Sequence, residues 1–215
     1  MPARSLNSRL ADHALDGFTG REVRLLRRLK SPAGVQRLLD SFPYHDADTC
    51  WAPRRVLREG VAHCLEGAML AAAAMRELGY PPLIVDLEGE QDTDHVIAVY
   101  RAGRYWGSIA KSHFNGLRDR PPIFRSLREL AISYFDDYFN LRRERSLRTY
   151  SQPVDLSRFD HLSWTTSERP NWFVPEHLLK IRHTPLISKA QARALYRVDQ
   201  LALRASLLDN EAPLL

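Results

Sequence analysis

A cysteine and a histidine in this 215-residue sequence have the types and spacing that nucleophilic catalysis requires. Cys64 stands at the predicted start of an alanine-rich helix, and His95 follows 31 residues later at the start of a predicted strand. A helix N-terminus offers free backbone N–H groups and a positive dipole, which lower the pKa of a thiol and can hold an oxyanion. If the strand lies beside the helix N-terminus, His95 can serve Cys64 as general base and then as general acid.

The other cysteine and the other histidines give weaker indications of chemistry. Cys50 precedes Trp51 in a predicted loop, and we interpret it as an ordinary thiol. His63 adjoins Cys64, but adjacent residues of a helix are about 100° apart, so we expect His63 to face away from it. The sequence has two cysteines and eight histidines with neither CxxC nor HxxxH spacing, so we predict no metal and no other cofactor.

The helix and strands that must position these two residues follow from the local sequence. His63–Leu78 is rich in Ala, Leu, Met and Glu, which are strong helix formers, and Gly79 followed by Pro81 ends it. Its alanine content indicates a closely packed helix that is buried on most sides. A hairpin at Ala102-Gly103 joins the last two of three predicted strands, at 83–87, 95–100 and 104–110. A helix followed by consecutive strands predicts an α+β fold with an antiparallel sheet.

The flanking segments are predicted to be helical or irregular. Near the N-terminus, Thr19 can cap one helix and Pro32 can open another. Beyond the strands we predict an amphipathic helix over Leu127–Phe139, irregular structure over 147–173, and a last helix over 190–208 capped by Ser188. No repeat or linker divides the chain, so we predict a single domain, 1–215, with a helical N-terminal flank at 1–49, a core at 50–115 and a helical or irregular part at 116–215.

Charge and composition exclude several classes of protein. The formal net charge is +5, yet only four of the 31 basic residues are lysines, and the arginines are scattered among acids. Phosphate-binding surfaces concentrate positive charge, so we do not expect nucleic acid as a partner. The longest apolar run, Ala68–Met75, is far shorter than the ~20 residues that span a bilayer, and the N-terminus lacks a signal-peptide pattern. We therefore expect a cytoplasmic protein with no membrane partner.

The string from Gly60 to Tyr80 resembles the transglutaminase-like superfamily of papain-fold cysteine enzymes. Those enzymes place the nucleophile at the start of a helix that ends R-x-x-G, followed by a strand and then by a strand led by the catalytic histidine. Asp94–Tyr100 is similar to that histidine strand, and Gly103–Trp106 is similar to the G-x-W strand after it. Arg58–Glu66 also resembles, more loosely, a neighbourhood of arylamine N-acetyltransferases. The resemblance covers residues 50–115 and implies a papain/transglutaminase-like core, a nucleophile helix packed on a small antiparallel sheet, with additional helices at both ends.

The sequence departs from the family pattern at one place. The resemblance implies an Asp on the strand after Trp106 to orient His95, but Ala110 occupies that position. Ser108 and Ser112 share its strand face and are candidates for the missing third member, as are a backbone carbonyl or a water. The resemblance also makes Trp51 a candidate oxyanion donor, with a core or rim aromatic as the alternative.

The leading functional hypothesis is a cysteine-nucleophile acyl-transfer enzyme. Cys64 would attack an amide, ester or thioester of a peptide, protein or small acyl substrate, and hydrolysis or transamidation would resolve the thioacyl intermediate. The alternative, favoured by Ala110, is a catalytically silent transglutaminase-like binding module. A homodimer through Leu127–Phe139 or the last helix is also open.

The walls of the cleft are less clearly indicated by the sequence. An acidic substrate group is one interpretation of Arg118, Arg120 and Arg125, and a solvated face is the other. Five aromatic side chains are candidates to line the cleft: His113, Phe114, Trp164, Trp172 and Phe173.

Overall fold

The protein is an α+β molecule with an antiparallel sheet, as the sequence predicts. A computed structural model describes residues 17–207. Within that range the helices are α1 Gly20–Arg28, α2 Pro32–Asp40, α3 Pro53–Glu59, α4 Cys64–Glu77, α5 Leu127–Ile132, α6 Phe173–Leu178, α7 Lys189–Arg193 and α8 Gln200–Ser206. The strands are β1 Leu83–Gly89, β2 His95–Ala102, β3 Tyr105–Ile109, β4 Arg120–Phe124, β5 Leu147–Ser151, β6 Val154–Asp155 and β7 His183–Pro185. Short 3₁₀ turns occur at Asn115–Leu117 and Leu156–Leu162.

One sheet of these seven strands forms the centre of the structure. Its order is β4-β3-β2-β1-β5-β7, with β6 also paired to β1, and every pairing is antiparallel. The β2–β3 hairpin turns at Gly103, whose φ of +59° favours glycine. Sequence patterning missed β4, because Pro121 and Pro122 are poor strand residues; β4 lies at the sheet edge, where a strand tolerates proline.

Helix α4 is buried on most sides, as its alanine content predicts. Every side chain from Leu65 to Met75 is buried, and small residues allow α4 to lie close against β2. Helices α1, α2 and α3 cover the rest of α4, with Leu26, Val35 and Val56 packed into one apolar cluster with it. The first residue of α4 is therefore held rigidly next to the start of β2.

The two faces of the sheet belong to different apolar clusters. Along β1, side chains alternate between the faces. Ile84 packs with Met69 of α4, whereas Val85 and Leu87 pack with α5 and the segment after it. The face that carries Ile84 is the face on which the N-terminus of α4 lies.

Local capping signals account for the N-terminal helices. Thr19 and Glu22 form a capping box at the start of α1, and Ser31 caps α2 ahead of Pro32. Both predicted helix starts are confirmed, whereas residues 1–16 of the predicted N-terminal flank lie outside the described part of the chain. No helix in the described part is long and apolar enough to cross a membrane.

Three predictions for the C-terminal part were wrong. The predicted helix over Leu127–Phe139 ends at Ile132, and its aromatic residues continue as buried turns because Tyr134 and Tyr138 bond to backbone carbonyls in the core. Within 190–208, Ser188 caps only a short helix, and Asp199 caps a separate one that ends at Ser206. Position 208 lies outside the described residues. The stretch 147–173, predicted to be irregular, contains β5 and β6.

Candidate active site

Cys64 is the first residue of α4, and its side chain opens onto a cavity of about 470 Å³. Its Sγ lies 3.8 Å from the carbonyl oxygen of Asp94, which immediately precedes β2. His95 begins β2 and lines the same cavity. The packing of α4 across β2 thus brings together the two residues that the sequence singles out.

The imidazole of His95 is buried and fixed by a backbone carbonyl. Nε2 lies 2.8 Å from the carbonyl oxygen of Leu117. A carbonyl only accepts, so Nε2 carries the proton, and in the neutral ring Nδ1 keeps its lone pair. The Leu117 carbonyl does for His95 what an orienting carboxylate does in other Cys-His sites, except that it brings no negative charge.

Neither candidate serine holds the imidazole of His95. Ser108 shares a hydrogen bond of 2.6 Å with the Tyr134 hydroxyl, and Ser112 accepts one from the backbone N–H of Phe114. Ala110 is closed off by Gln36, whose amide pairs with both the N–H and the carbonyl of Ala110. Of the alternatives that the sequence leaves open, the backbone carbonyl is the one found.

A set of side chains fixes the turn that presents this carbonyl. The Tyr134 hydroxyl donates to the carbonyl of Arg118 at 2.8 Å, and the Arg120 guanidinium donates to that of Gly116 at 2.7 Å. Gly116 packs so tightly on Asp137 that an added Cβ would lie 2.2 Å from the carboxylate carbon. The Leu117 carbonyl is therefore a positioned acceptor.

His63 does not face away from Cys64, contrary to the sequence expectation. It is the N-cap of α4, with the extended backbone of φ −90° and ψ −176°, so the 100° helical spacing does not apply to it. Nε2 donates to the carbonyl of Thr49 at 2.8 Å and lies 3.5 Å from a carboxylate oxygen of Glu66. Burial alone would lower the pKa of His63, but hydrogen bonds with Cys64 and Glu66 raise it to about 10.

Glu66 is a fully buried carboxylate beneath these residues. It accepts hydrogen bonds from the Thr49 hydroxyl at 2.7 Å and from the Trp51 backbone N–H at 2.9 Å, and His45 lies 3.2 Å away. Burial raises its pKa, but hydrogen bonds from His63, Trp51 and Thr49 outweigh that effect and hold the pKa at about 2. Sequence reasoning missed Glu66; the available signal was an acid three residues after a histidine in the first turn of a helix.

The electrostatic result is a thiolate at Cys64. Burial raises the pKa of the thiol, but hydrogen bonds from His63 and His95, the charge of His95 and the backbone N–H of Val96 bring it down to about 5. The pKa of Cys50 shifts in the opposite direction, because complete burial and then the charge of Glu66 raise it to about 12. The two cysteines therefore differ sharply in nucleophilic character.

Tyr44 lies beside Cys64, whereas Trp51 lies outside the cavity. The Trp51 ring lies between the His45 ring, 4.4 Å away, and the Arg55 guanidinium, 4.3 Å away, and it does not line the cavity. Tyr44 reaches the site because its loop pairs with Ala62. Burial, and then the charge of Cys64, raises the pKa of Tyr44 far above its usual range, so its hydroxyl stays protonated and can donate.

Three of the five aromatic residues expected at the cleft line the cavity: His113, Phe114 and Trp172. Trp164 is fully buried, with its indole N–H donated to Asp160, and Phe173 packs against an apolar cluster. The remaining side chains of the cavity wall include five acids, Asp46, Asp48, Asp86, Asp92 and Asp94.

The arginines that were considered for an acidic substrate group do not line the cavity. Arg118 pairs with Asp40, Arg120 pairs with Asp137, and Arg125 is exposed. A solvated face fits Arg125, whereas Arg120 is only 16% exposed and packs inside the structure.

Within residues 17–207, no three His, Cys, Asp or Glu side chains are grouped so as to hold a metal ion. A scan against protein-family models finds no match for this chain, and a search of curated proteins finds no similar sequence. The assignment of function is therefore built on the geometry and charges of the site.

Proposed function

We propose that this protein is a cysteine-dependent acyl-transfer enzyme with a transglutaminase-like core. The observation that carries the proposal is the pairing of Cys64, at the N-terminus of a buried helix, with two imidazoles that lower the pKa of its thiol to about 5. A thiolate at a helix N-terminus and beside a fixed histidine is the requirement for nucleophilic attack on a carbonyl carbon. The order of nucleophile helix, strand and histidine-led strand supports the family assignment.

The first step is attack by the thiolate on the carbonyl carbon of an amide, ester or thioester. A bond forms between Sγ and that carbon, and the carbonyl π electrons move to oxygen. The backbone N–H of Cys64 and the hydroxyl of Tyr44 are the donors available to the oxyanion. The protonated Tyr44 takes the role that the sequence resemblance gave to Trp51.

The second step expels the leaving group with a proton from His95. In this scheme Nδ1 of His95 accepts the thiol proton of Cys64, while Nε2–H stays on the Leu117 carbonyl. When the tetrahedral intermediate collapses, Nδ1 protonates the departing amine, alcohol or thiol and leaves a thioacyl enzyme. Water or an amine then attacks the thioester and gives its proton back to His95, which releases the product and the free thiolate.

The two histidines have different roles in this scheme. His63 has its pKa raised to about 10 by Cys64 and Glu66, so it keeps its proton near neutral pH. It stabilises the thiolate as a fixed positive charge and does not shuttle protons. His95, whose partner is a neutral carbonyl, moves the proton.

Acyl-enzyme trapping tests the proposal directly. The full chain is mixed with p-nitrophenyl acetate, and the burst of nitrophenolate and the acetyl adduct on Cys64 are followed by absorbance and mass spectrometry. We expect one acetyl group per chain on Cys64, no adduct in Cys64→Ala, and a rate about 10²–10⁴-fold lower in His95→Ala.

Cys50→Val is the matched control, because Cys50 is fully buried and has a raised pKa, so the burst should be unchanged. Absence of an adduct on Cys64, or the same acylation rate in His95→Ala, contradicts the proposal and favours a catalytically silent binding module.

A further inference from the structure

The charge of the candidate active-site cavity is opposite to that of the whole chain. Among residues 17–207, five aspartates and no lysine or arginine line the cavity, although the chain has a formal net charge of +5. In the same range, none of the five forms a salt bridge with a lysine or arginine; Asp86 pairs with His183. The aspartates of the wall are therefore not neutralised by lysine or arginine side chains.

Asp86 is the buried member of this group whose carboxylate is only partly hydrogen-bonded. It lies in the middle of β1 on the same face as Ile84, only 4% exposed, and it borders the cavity. Oδ2 lies 3.1 Å from Nε2 of His183, but Oδ1 is buried without any hydrogen-bond partner. A buried carboxylate oxygen with no donor is unfavourable, and in native proteins such an atom calls for a functional explanation.

Neighbouring negative charges make the ionised carboxylate of Asp86 still less favourable. Burial raises the pKa of Asp86 to about 6, and the negative charges of Asp94 and of the Cys64 thiolate add to the effect despite His183. Asp94 and Asp92 have their own donors, the backbone N–H of Gly89 and the hydroxyl of Ser146. Those donors are neutral and bring no positive charge near Asp86.

The four histidines of the cavity wall do not supply the missing cation to Oδ1. His63 pairs with Glu66 and Cys64, His95 donates to the Leu117 carbonyl, and His45 contacts Glu66. His113 stacks on Tyr44 at 3.6 Å between ring centroids. Among the described residues, Oδ1 of Asp86 thus has no donor, and its negative charge lies next to the cavity without a lysine or arginine partner.

We propose that the cavity binds an acyl substrate through a positively charged group, an ammonium or guanidinium, which is attracted by the aspartates of the wall and above all by the incompletely paired carboxylate of Asp86. This inference rests on the assignment of Cys64 as the acyl nucleophile. The wall also offers the rings of Tyr138, Phe139 and Trp172, whose faces favour cations over anions.

Charged thiol reagents measure this preference without requiring turnover. The whole protein is treated with three methanethiosulfonates of similar size, a trimethylammonium ethyl cation, a sulfonatoethyl anion and a neutral ethyl reagent, and modification of Cys64 is followed by mass spectrometry. Rates are divided by those of a free thiol with each reagent. We expect the cation to react at least about tenfold faster than the anion at low ionic strength, with a smaller ratio in about 1 M salt.

Asp86→Asn should reduce the cation-to-anion ratio severalfold while the rate with the neutral reagent stays within about twofold. Asp48→Asn, at an exposed position of the cavity rim, should give a smaller reduction and does not disturb the core. Glu168→Gln, an exposed acid outside the cavity, is the matched control and should leave the ratio unchanged. A ratio near one, a preference for the anion, or a cation preference that neither aspartate variant changes overturns the inference.

The same data separate this inference from the proposed function. If the neutral reagent modifies Cys64 no faster than a free thiol, the activated nucleophile is absent and the proposed function fails, while the charge ratio is still measured. If Cys64 reacts rapidly with the neutral reagent but shows no preference for the cation, the nucleophile stands and the cation site is refuted.

Discussion

At the scale of single residues, Cys64, His63 and Glu66 form a line of alternating charge. Glu66 is ionised although it is fully buried, because hydrogen bonds from His63, Trp51 and Thr49 compensate its burial. The ionised Glu66 keeps His63 protonated, and the protonated His63 favours the thiolate. The chain has thus placed a carboxylate-histidine pair next to the nucleophile, although the strand position expected to carry an acid holds Ala110.

Sequence reasoning identified Cys64 and His95 but not this charged line. A histidine and a glutamate near a helix start are common, and nothing in their spacing shows that one is a cap with extended backbone or that the other is fully buried. Both facts depend on the loop at Thr49–Trp51, which supplies the hydrogen bonds from a distant part of the sequence. Long-range donors of this kind leave no local pattern to detect.

Asp86 leads to a prediction about stability. Its pKa rises from 3.8 unfolded to about 6 folded, so folding favours the protonated carboxyl. The contribution of Asp86 to the free energy of unfolding is therefore fully present below about pH 4 and is lost as the pH rises through 6. At neutral pH, Asp86→Asn removes an ionised carboxylate with an unpaired oxygen, and we expect it to raise the free energy of unfolding by about 1–3 kcal/mol.

Urea denaturation of the variant and the parent protein at several pH values checks this prediction. The gain should be largest near neutral pH and should shrink toward zero below about pH 4. Asp40→Asn, which removes the partner of Arg118 at the surface, is a control that should not show a gain of this form. A loss of stability in Asp86→Asn at neutral pH contradicts the interpretation of Asp86.

At the scale of elements, the site depends on two placements: the start of α4 against β2, and the turn Asn115–Leu117 under His95. The first was predictable, because alanine content, Gly79 and two short apolar strands are local signals. The second was not, because the turn is fixed by Tyr134 and Arg120 from outside it. The same long-range packing ended the helix predicted over Leu127–Phe139 early.

Because the Leu117 carbonyl already orients His95, an acid at position 110 has no role to fill. Ala110 is fully buried and bracketed by Gln36, so a carboxylate there would be desolvated without a partner. We expect Ala110→Asp to lower the free energy of unfolding by about 2–4 kcal/mol and to give no increase in the acylation rate.

Thermal or urea unfolding and the acylation burst measure the two effects. Ala190→Asp, at an exposed site in the first turn of α7, is the matched substitution and should change neither quantity by much. A stable Ala110→Asp variant that acylates faster than the parent protein would mean that the carbonyl is an inadequate substitute for an acid.

At the scale of the whole molecule, the net charge does not show that acidic and basic side chains are unevenly distributed. Many arginines are paired with acids at the surface, such as Arg27 with Glu77 and Arg76 with Asp160. The aspartates of the cavity lack such partners, so the interior of the cleft is acidic while the chain as a whole is basic. A count of charged residues yields the correct total but cannot show this division, because the division depends on which side chains the fold brings to the cavity.

The pH dependence of Cys64 alkylation by iodoacetamide tests the nucleophile most directly. Because the pKa of the thiol is lowered to about 5, we expect the alkylation rate of the parent protein to reach half its plateau near pH 5. In His63→Ala the midpoint should rise by at least about one pH unit, toward that of a free thiol, whereas Cys50→Val should leave it unchanged. A midpoint above about pH 8 in the parent protein, unaltered in His63→Ala and in His95→Ala, would contradict the assignment of Cys64 as an activated nucleophile.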